Sequence, residues 1–179
     1  EVEFKGRNYM FYHNGALPNG GGFHRSACVE EFTYNEDGTI PFISFTKQGP
    51  RPVGAVNPYN RVEAETMAWS WGVKTDRLAG FEHYVTQIHN GDWIRVREVD
   101  FGQDSPDEIE LNILNFRTSG VVEFYIDSLG GNPFAAFDVK AEGTMKTAVA
   151  RPVAGRHDVY ILFRGGDEQF FDFDWWQVK

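Results

Sequence analysis

The chain has 179 residues, including sixteen Phe, seven Tyr and five Trp, and a formal charge of -9. That length suits one domain, or one domain with an appendage, and the acidic balance argues against nucleic acid as a partner, because such binding rests on Lys and Arg neutralising phosphates. The single Cys28 excludes an internal disulfide and lends no support to a zinc site; no apolar run reaches the length of a membrane span, so no membrane partner is expected.

Short apolar runs broken by Gly, Asn, Asp or Pro predict an all-β chain. Val2 to Phe4 and Tyr9 to Tyr12 flank Lys5-Gly6-Arg7-Asn8, a hairpin signal. Arg25 to Tyr34 reads as the next strand, after the loop Pro18-Asn19-Gly20-Gly21-Gly22, and Asn35-Glu36-Asp37-Gly38 turns the chain into a further strand predicted over Thr39 to Phe45. Three or four strands bury little core alone and need something to pack on. Lys47 to Gly54, with Pro50, Pro52 and two glycines, reads as a linker. The expected organisation is therefore a first unit over 1–46, a linker over 47–54 and a second unit over 55–179.

In the second unit, strands are predicted near Arg61 to Thr66, Tyr84 to Ile88, Asp92 to Val99, Glu108 to Phe116, Val121 to Ser128, Phe134 to Val139, Thr144 to Ala150, Asp158 to Phe163 and Phe170 to Val178. Alternation is clear in Asp92-Trp93-Ile94-Arg95-Val96-Arg97 and in Ile109-Glu110-Leu111-Asn112-Ile113, so these strands bury one face and wet the other. Such strands and turns over about 120 residues favour a two-sheet sandwich. The start at Glu1, without Met and directly on a strand-like run, reads as a cut from something longer; no signal peptide opens the given sequence, which leaves a lost leader open, and the location stays unknown, with secretion or surface display favoured and an intracellular place the alternative.

Val62-Glu63-Ala64-Glu65-Thr66 places two carboxylates at i and i+2, which share one face of a strand. They repel unless a cation lies between them. Asp172 and Asp174, in the closing Phe171 to Trp176 segment, can meet them if the first and last strands lie side by side, and hard oxygen ligands in irregular geometry favour Ca²⁺. The plainer alternative is a pair of solvated glutamates on an edge strand. The aromatic shell around Asp174, from Phe170 to Trp176, favours a partly buried carboxylate that needs a partner.

Residues 55–179 resemble the family 6 carbohydrate-binding modules. The resemblance is carried by Asn57-Pro58-Tyr59-Asn60-Arg61-Val62-Glu63-Ala64-Glu65-Thr66-Met67, Trp71-Gly72-Val73-Lys74-Thr75, His89-Asn90-Gly91-Asp92-Trp93-Ile94, Gly155-Arg156-His157-Asp158-Val159-Tyr160 and Phe171 to Trp176, in family order. It implies a jelly-roll β-sandwich with a structural Ca²⁺, for which Glu63, Glu65 and Asp174 supply side-chain oxygens and a loop between Phe81 and Val85 supplies carbonyls. Residues 1–45 resemble the C-terminal strands of a family 43 glycoside hydrolase, a five-bladed β-propeller, through Tyr12-His13-Asn14-Gly15-Ala16-Leu17, Gly20 to Ser26 and Tyr34 to Ile40. The fold implied is a sandwich preceded by a few strands of a truncated propeller, and the parent implied is a β-xylosidase or α-L-arabinofuranosidase acting on xylan. His13 would sit near the propeller axis and Arg25 near its substrate pocket; the alternative for His13 is a hydrogen-bonded histidine between strands. Glycosidic cleavage needs an acid and a carboxylate across the bond, and Glu30, Glu31, Glu36 and Asp37 fit no such pair, so no catalysis is assigned to this chain.

Sugar recognition combines an aromatic platform with planar polar groups, and here the family's usual cleft is altered. Gln87 stands where Tyr is common, Glu142-Gly143-Thr144-Met145 replaces a Gly-Gly-Trp segment, and Asp172 replaces the terminal Asn. Gln87 and Asp172 can still bond hydroxyls, and replacement rings are offered by Trp69, Trp71, Phe81, Tyr84 and Phe134. Trp69 and Trp71 share a face if extended, either as a sugar strip or as core cover, while Trp93 and one of Trp175 and Trp176 are expected in the core and the other on the concave face. His89 and His157 flank turns and are expected to hydrogen-bond there; Lys140, Lys146, Arg151 and Arg156 are expected as solvated charges, with glucuronic acid groups on xylan as the one anionic ligand left open. The expected function is a non-catalytic module that binds xylan-type polysaccharide and raises the local concentration of its enzyme's substrate. The alternative is a structural sandwich packed on a catalytic propeller.

Overall fold

The computed structural model describes residues 1–15, 20–23, 25–78, 80 and 82–179. The described residues form fourteen β-strands and no helix, and the chain divides into two compact units, Glu1–Val53 and Gly54–Lys179.

The first unit is a three-stranded antiparallel meander of β1 (Val2–Phe4), β2 (Arg7–Asn14) and β3 (Ser26–Phe32), in the order β1-β2-β3. Lys5 and Gly6 turn the first hairpin with φ of 49° and 70°, the left-handed pair that a tight hairpin with the native strand twist demands. The strand predicted over Thr39 to Phe45 does not form. Pro41 supplies no N–H for a ladder, and the segment is held differently: Thr46 donates its N–H (2.7 Å) and Oγ1 (2.9 Å) to the buried carboxylate of Glu30 on β3.

The second unit is built from β4 (Val62–Glu63), β5 (Trp69–Trp71), β6 (Lys74–Arg77), β7 (His83–Thr86), β8 (Trp93–Asp100), β9 (Glu108–Leu114), β10 (Gly120–Ile126), β11 (Ala135–Val139), β12 (Gly143–Ala148), β13 (Arg156–Gly165) and β14 (Asp172–Val178). A five-stranded sheet runs β11-β10-β13-β8-β5, and a six-stranded sheet runs β12-β9-β14-β7-β6 with β4 added on β14. Their inward faces share one apolar core that includes Ile94, Phe124, Ile161 and Phe163 from the first sheet and Leu111, Ile113, Phe173 and Trp176 from the second. The result is the all-β two-sheet sandwich that the alternating patterns predict, of the jelly-roll kind that the family resemblance implies.

Two bulges set which side chains face in. On β8 an extra residue lies between Val96 and Val99, opposite Asp158, and Glu98 there takes φ 53°. The Asp158 carboxylate accepts from Glu98 N (3.1 Å) and Arg95 Nε (3.0 Å), which pins the bulge. The shift lets Ile94, Val96, Val99 and Phe101 all reach the core. On β14 the extra residue is Asp174, between Phe173 and Trp175. Unbroken alternation through Asp174 would turn Trp175 inward like Phe173; with the bulge Trp176 is fully buried and Trp175 stays on the outer side, under the Arg61 guanidinium at 5.5 Å. Trp93 corrects the expectation of a core residue. Its neighbours Ile94 and Val96 take the inward positions, so Trp93 lies on the outer face.

Between β5 and β6 the chain leaves one sheet for the other at Gly72, φ 82°. A Cβ there would fall 1.7 Å from Asp92 Oδ1, so a glycine is required. Asp92 is itself buried and accepts from His89 N at 2.8 Å, tying this crossing to the turn before β8.

Candidate functional site

The residues singled out from sequence fall into three clusters of the sandwich and one of the meander. The first surrounds β4 and the bulge of β14. Val62 and Ala64 are buried while Glu63 and Glu65 are half-buried on the other side, although the ladder spans only Val62–Glu63 because Thr66 N and Met67 N turn back to Glu63 O and Glu65 O. Ala64 N donates to Asp174 O at 2.8 Å, and Glu63 pairs with Trp175, so Glu63, Glu65 and Asp174 share one neighbourhood. Glu65 Oε2 and Asp174 Oδ1 are buried without a hydrogen bond. Burial, with the carboxylates of Glu63 and Asp174 close by, pushes the Glu65 carboxyl up. Asp174 Oδ2 accepts from Asn112 Nδ2 at 2.9 Å.

Arg61, which sequence reasoning passed over, lies across this cluster. Its Nε is 2.9 Å from Glu63 Oε1 and its Nη2 is 3.5 Å from Asp174 Oδ1. Among the described residues no group of three or more His, Cys, Asp or Glu forms a ready metal cage, because Glu63 turns to Arg61. The two orphaned oxygens nevertheless fit a hard cation, which would satisfy both and relieve their repulsion. Glu65 and Asp174 are the side chains that would hold it, with Glu63 exchanging Arg61 for the ion.

The second cluster lies on the outer side of the six-stranded sheet, where β7 meets the start of β14. Asp172 is 1% exposed. Its Oδ1 accepts from Thr86 Oγ1 (2.7 Å) and Arg117 Nη1 (3.0 Å), and its Oδ2 accepts from Asn115 Nδ2 (2.8 Å) and Arg117 Nη2 (3.2 Å). Four donors saturate the carboxylate, which corrects the expectation that it bonds sugar hydroxyls directly. The outward group is the Arg117 guanidinium, 41% exposed. Tyr84, on the same side of β7 as Thr86, is half-buried, and burial with the charges of Asp76 and Asp172 pushes its phenol up. Gln87 follows β7 directly, exposed, with φ 54° and its carbonyl 2.8 Å from His89 Nδ1. Asn115 and Arg117 escaped notice in the sequence; they sit in the turn after β9, with no motif to mark them.

Trp69 and Trp71 do not join that group. They lie on β5 of the five-stranded sheet, where Trp69 stands opposite Arg95 and Trp71 opposite Trp93, all on the outer face. Trp93 packs on Tyr160 with ring centroids 5.7 Å apart, and Arg95 lies over Tyr160 at 5.6 Å while pairing with Asp158. Trp71 is 49% exposed, the most open of the tryptophans. Of the other proposed rings, Phe134 is in the core against Phe101 and Phe124, which corrects its placement in a sugar site, and Phe81 lies outside the described residues.

In the meander, His13 on β2 and Arg25 before β3 are both exposed and in contact through His13 Nε2 and Arg25 Nη1. A guanidinium only donates, so Nε2 is the acceptor and the ring proton is on Nδ1. Arg25 Nε also donates to Gly22 O at 2.9 Å. Ala16, Leu17 and His24 of the motifs flanking this pair lie outside the described residues.

Comparison with known proteins adds three findings. The model of the family described as carbohydrate binding module (family 6) matches residues 63–179. An arabinoxylan arabinofuranohydrolase of Bacillus subtilis (strain 168) is 33% identical, over 97% of this chain and 37% of its own length. One of the same name from Paenibacillus polymyxa is 32% identical, over 97% of this chain and 30% of its own. The chain therefore spans well under half the length of these curated relatives. Among solved structures, a glycoside hydrolase family 43 arabinoxylan arabinofuranohydrolase from Bacillus subtilis in complex with cellotetraose superposes with a TM-score of 0.81 at 32% identity, covering 99% of this chain and 39% of that one. A family 6 carbohydrate-binding module from Clostridium cellulolyticum in complex with xylose gives 0.62 at 26% identity, covering 69% of this chain and 99% of that one.

Proposed function

Since this chain belongs to the family 6 carbohydrate-binding modules through residues 63–179, we propose that it binds xylan-type hemicellulose without cleaving it and keeps a glycoside hydrolase beside that substrate. The observation that carries this reading is Trp71, half exposed on the outer face opposite Trp93, which itself packs on Tyr160. An open indole on a rigid strand offers apolar area to the CH face of a pyranose at little entropic cost. The Tyr84, Gln87 and Arg117 group is the second surface able to bond hydroxyls, through donors already fixed by Asp172 and the β7 end. Support for arabinoxylan as substrate, and for a catalytic propeller as the partner, comes from the names of the longer relatives and from the solved complex with xylose. In that context His13 and Arg25 are the remnant of a propeller active centre and contribute no chemistry alone.

Calcium is assigned a structural role at Glu65 and Asp174, with Glu63 as third ligand. The ion would supply no catalysis; it would neutralise the buried carboxylates and lock β4 to β14.

A second reading has its own support. Gln87 and Thr144 provide no ring where the family has Tyr and Trp, and Asp172 is sealed beneath Arg117. A module so altered would serve to stabilise its propeller without binding free sugar. Calorimetric titration of the chain, in calcium, with xylo-oligosaccharides and arabinosylated xylo-oligosaccharides separates the two. Saturable heat supports the hemicellulose reading; silence from folded protein supports the structural one.

A further inference from the structure

At the end of the sandwich opposite Gln87 and Arg117, the connections after β10 and after β12 enclose a cavity of about 450 Å³, within the range of about 300–1,000 Å³ usual for small-ligand sites. Strands β10 and β13 run antiparallel from Gly120 opposite Gly165 to Ile126 opposite Val159. The cavity at the Ile126 end is thus roughly 20 Å from the loop-end cluster at about 3.3 Å per residue, and no residue of either surface described above lines it.

Its floor is apolar. Phe134 and Val153 are 3% and 5% exposed, and Ile126 packs against the core. Its wall is cationic in a chain of formal charge -9. Arg151 donates Nη1 to Asn132 O at 3.1 Å, and its other N–H groups have no acceptor among the described residues. His157 lies between two acceptors: Nδ1 is 2.9 Å from Asp127 Oδ2 and Nε2 is 2.9 Å from Ala154 O. Two oxygen acceptors require two ring protons, so this geometry selects the imidazolium. The charge of His157 is balanced by Asp127, which leaves Arg151 in excess. Gly130 and Gly131, at φ 145° and 74°, turn the first loop, and their amide N–H groups donate to no protein acceptor among the described residues. A guanidinium with donors to spare and no carboxylate partner, free backbone donors and an apolar floor are together the complement of a carboxylate carried on a saccharide.

We propose that this cavity is a binding site for a uronic-acid-bearing saccharide, whose carboxylate pairs with Arg151 while a sugar face rests on the exposed Pro152 and Ala154, above the buried Phe134 and Val153. The sugar part of the ligand rests on the carbohydrate-binding reading; the anionic part does not. Each module would then grip a branched chain at two places, one neutral and one acidic.

The test is an amide-resolved NMR titration of the full chain with three probes: a glucuronic-acid-substituted xylotriose, xylotriose, and inorganic phosphate. The acidic saccharide is expected to shift the Gly130, Gly131 and Asn132 amides saturably, xylotriose to leave them unmoved, and phosphate to bind far more weakly. Arg151→Gln should weaken the acidic saccharide by at least about fivefold, as loss of a charge-assisted pair does, and Arg151→Lys should recover part of it; melting curves of both variants verify the fold. The proposal is overturned if the acidic saccharide leaves these amides unmoved, if xylotriose moves them equally, if phosphate binds as tightly, or if Arg151→Gln binds unchanged. Failure of the hemicellulose reading is seen separately, as absence of any xylotriose response at Trp71 and Tyr84.

Discussion

Arg117 lies along Asp172 so that Nη1 meets Oδ1 at 3.0 Å and Nη2 meets Oδ2 at 3.2 Å, a two-pronged pair between a half-exposed cation and a buried anion. The asymmetry predicts the outcome of cutting it. Arg117→Ala leaves a carboxylate that has only Thr86 and Asn115 as donors and little water; the expected loss is about 2 kcal/mol, below the 3–5 kcal/mol of a fully buried pair because Arg117 is partly solvated. Adding Asp172→Asn to Arg117→Ala should restore part of that loss, by removing the stranded charge. Urea unfolding of the two single variants and the double variant measures both. Equal stability of Arg117→Ala and the parent chain would mean that solvent already screens Asp172.

Removing calcium should expose the cost of the Glu65 and Asp174 carboxylates. An ion at a hundred times its dissociation constant stabilises by about 2.7 kcal/mol, so an excess of chelator should lower Tm by about 5–10 °C for a domain of this size. Asp174→Ala should abolish the difference between chelator and calcium. The sign with pH follows from Glu65, whose carboxyl burial raises: without the ion, stability falls as pH climbs from the ordinary glutamate value through the raised one. The calcium gain should therefore be larger at pH 7 than at pH 4.5. Identical melting curves with and without chelator would remove calcium from this protein.

Trp71→Ala tests the aromatic face. Because the ring is half exposed and outside the core, Tm should stay within a few degrees, while affinity for xylo-oligosaccharides should fall about tenfold, the scale of one lost stacking platform. Calorimetry on the same samples reads both. A loss of stability without loss of affinity would make Trp71 a covering residue. Gln87→Ala should weaken binding less, since its hydrogen bonds exchange with water.

His157 ties the loop after β10 to the loop after β12, and its protonation should be visible in stability. Burial opposes the charge, but the hydrogen bonds to Asp127 and Ala154 O, with the Asp127 charge, raise the imidazole overall. A raised histidine contributes fully below its unfolded value of about 6.5, and the contribution fades as pH rises through the folded value. The chain should therefore lose stability between pH 6 and pH 8, and His157→Gln should flatten that slope. If denaturation midpoints of the parent chain and the variant change in parallel over this window, the bridge carries no protonation energy.

Strand existence was legible wherever one face is apolar and the other wet, as in Ile94 and Val96 between Trp93, Arg95 and Arg97. What alternation misreads are the places where a bulge changes parity. The extra residue at Asp174 decides between Trp175 and Trp176, and nothing in Phe173-Asp174-Trp175-Trp176 announces it. The Thr39 to Phe45 segment has strand composition, but Pro41 breaks a ladder and Thr46 is held by the Glu30 carboxylate on β3, a tertiary contact invisible in local sequence. The carboxylate cluster was visible because its members recur at i and i+2. Arg61, Asn115 and Arg117 were not, since each reaches Asp172 or Asp174 from roughly 55 to 115 positions away along the chain. Trp69 and Trp71 were grouped with Tyr84 because they are close in sequence, yet Gly72 sends them to different sheets.

The pairing of β4 with β14 brings Val62 and Trp176 side by side, and Val178 N donates to Pro58 O at 2.8 Å, so the sandwich receives and releases its chain at neighbouring points. If, as proposed, the module holds a polymer while a host enzyme pulls on it, the load would arrive across these few hydrogen bonds in opening mode, one after another, and not in shear along a whole ladder. The first yielding event would be a short peel of β4 that leaves the two sheets, and the candidate sugar surfaces, in place. A cation gripping Glu65 and Asp174 would sit at the root of that peel, where it would act as a rivet.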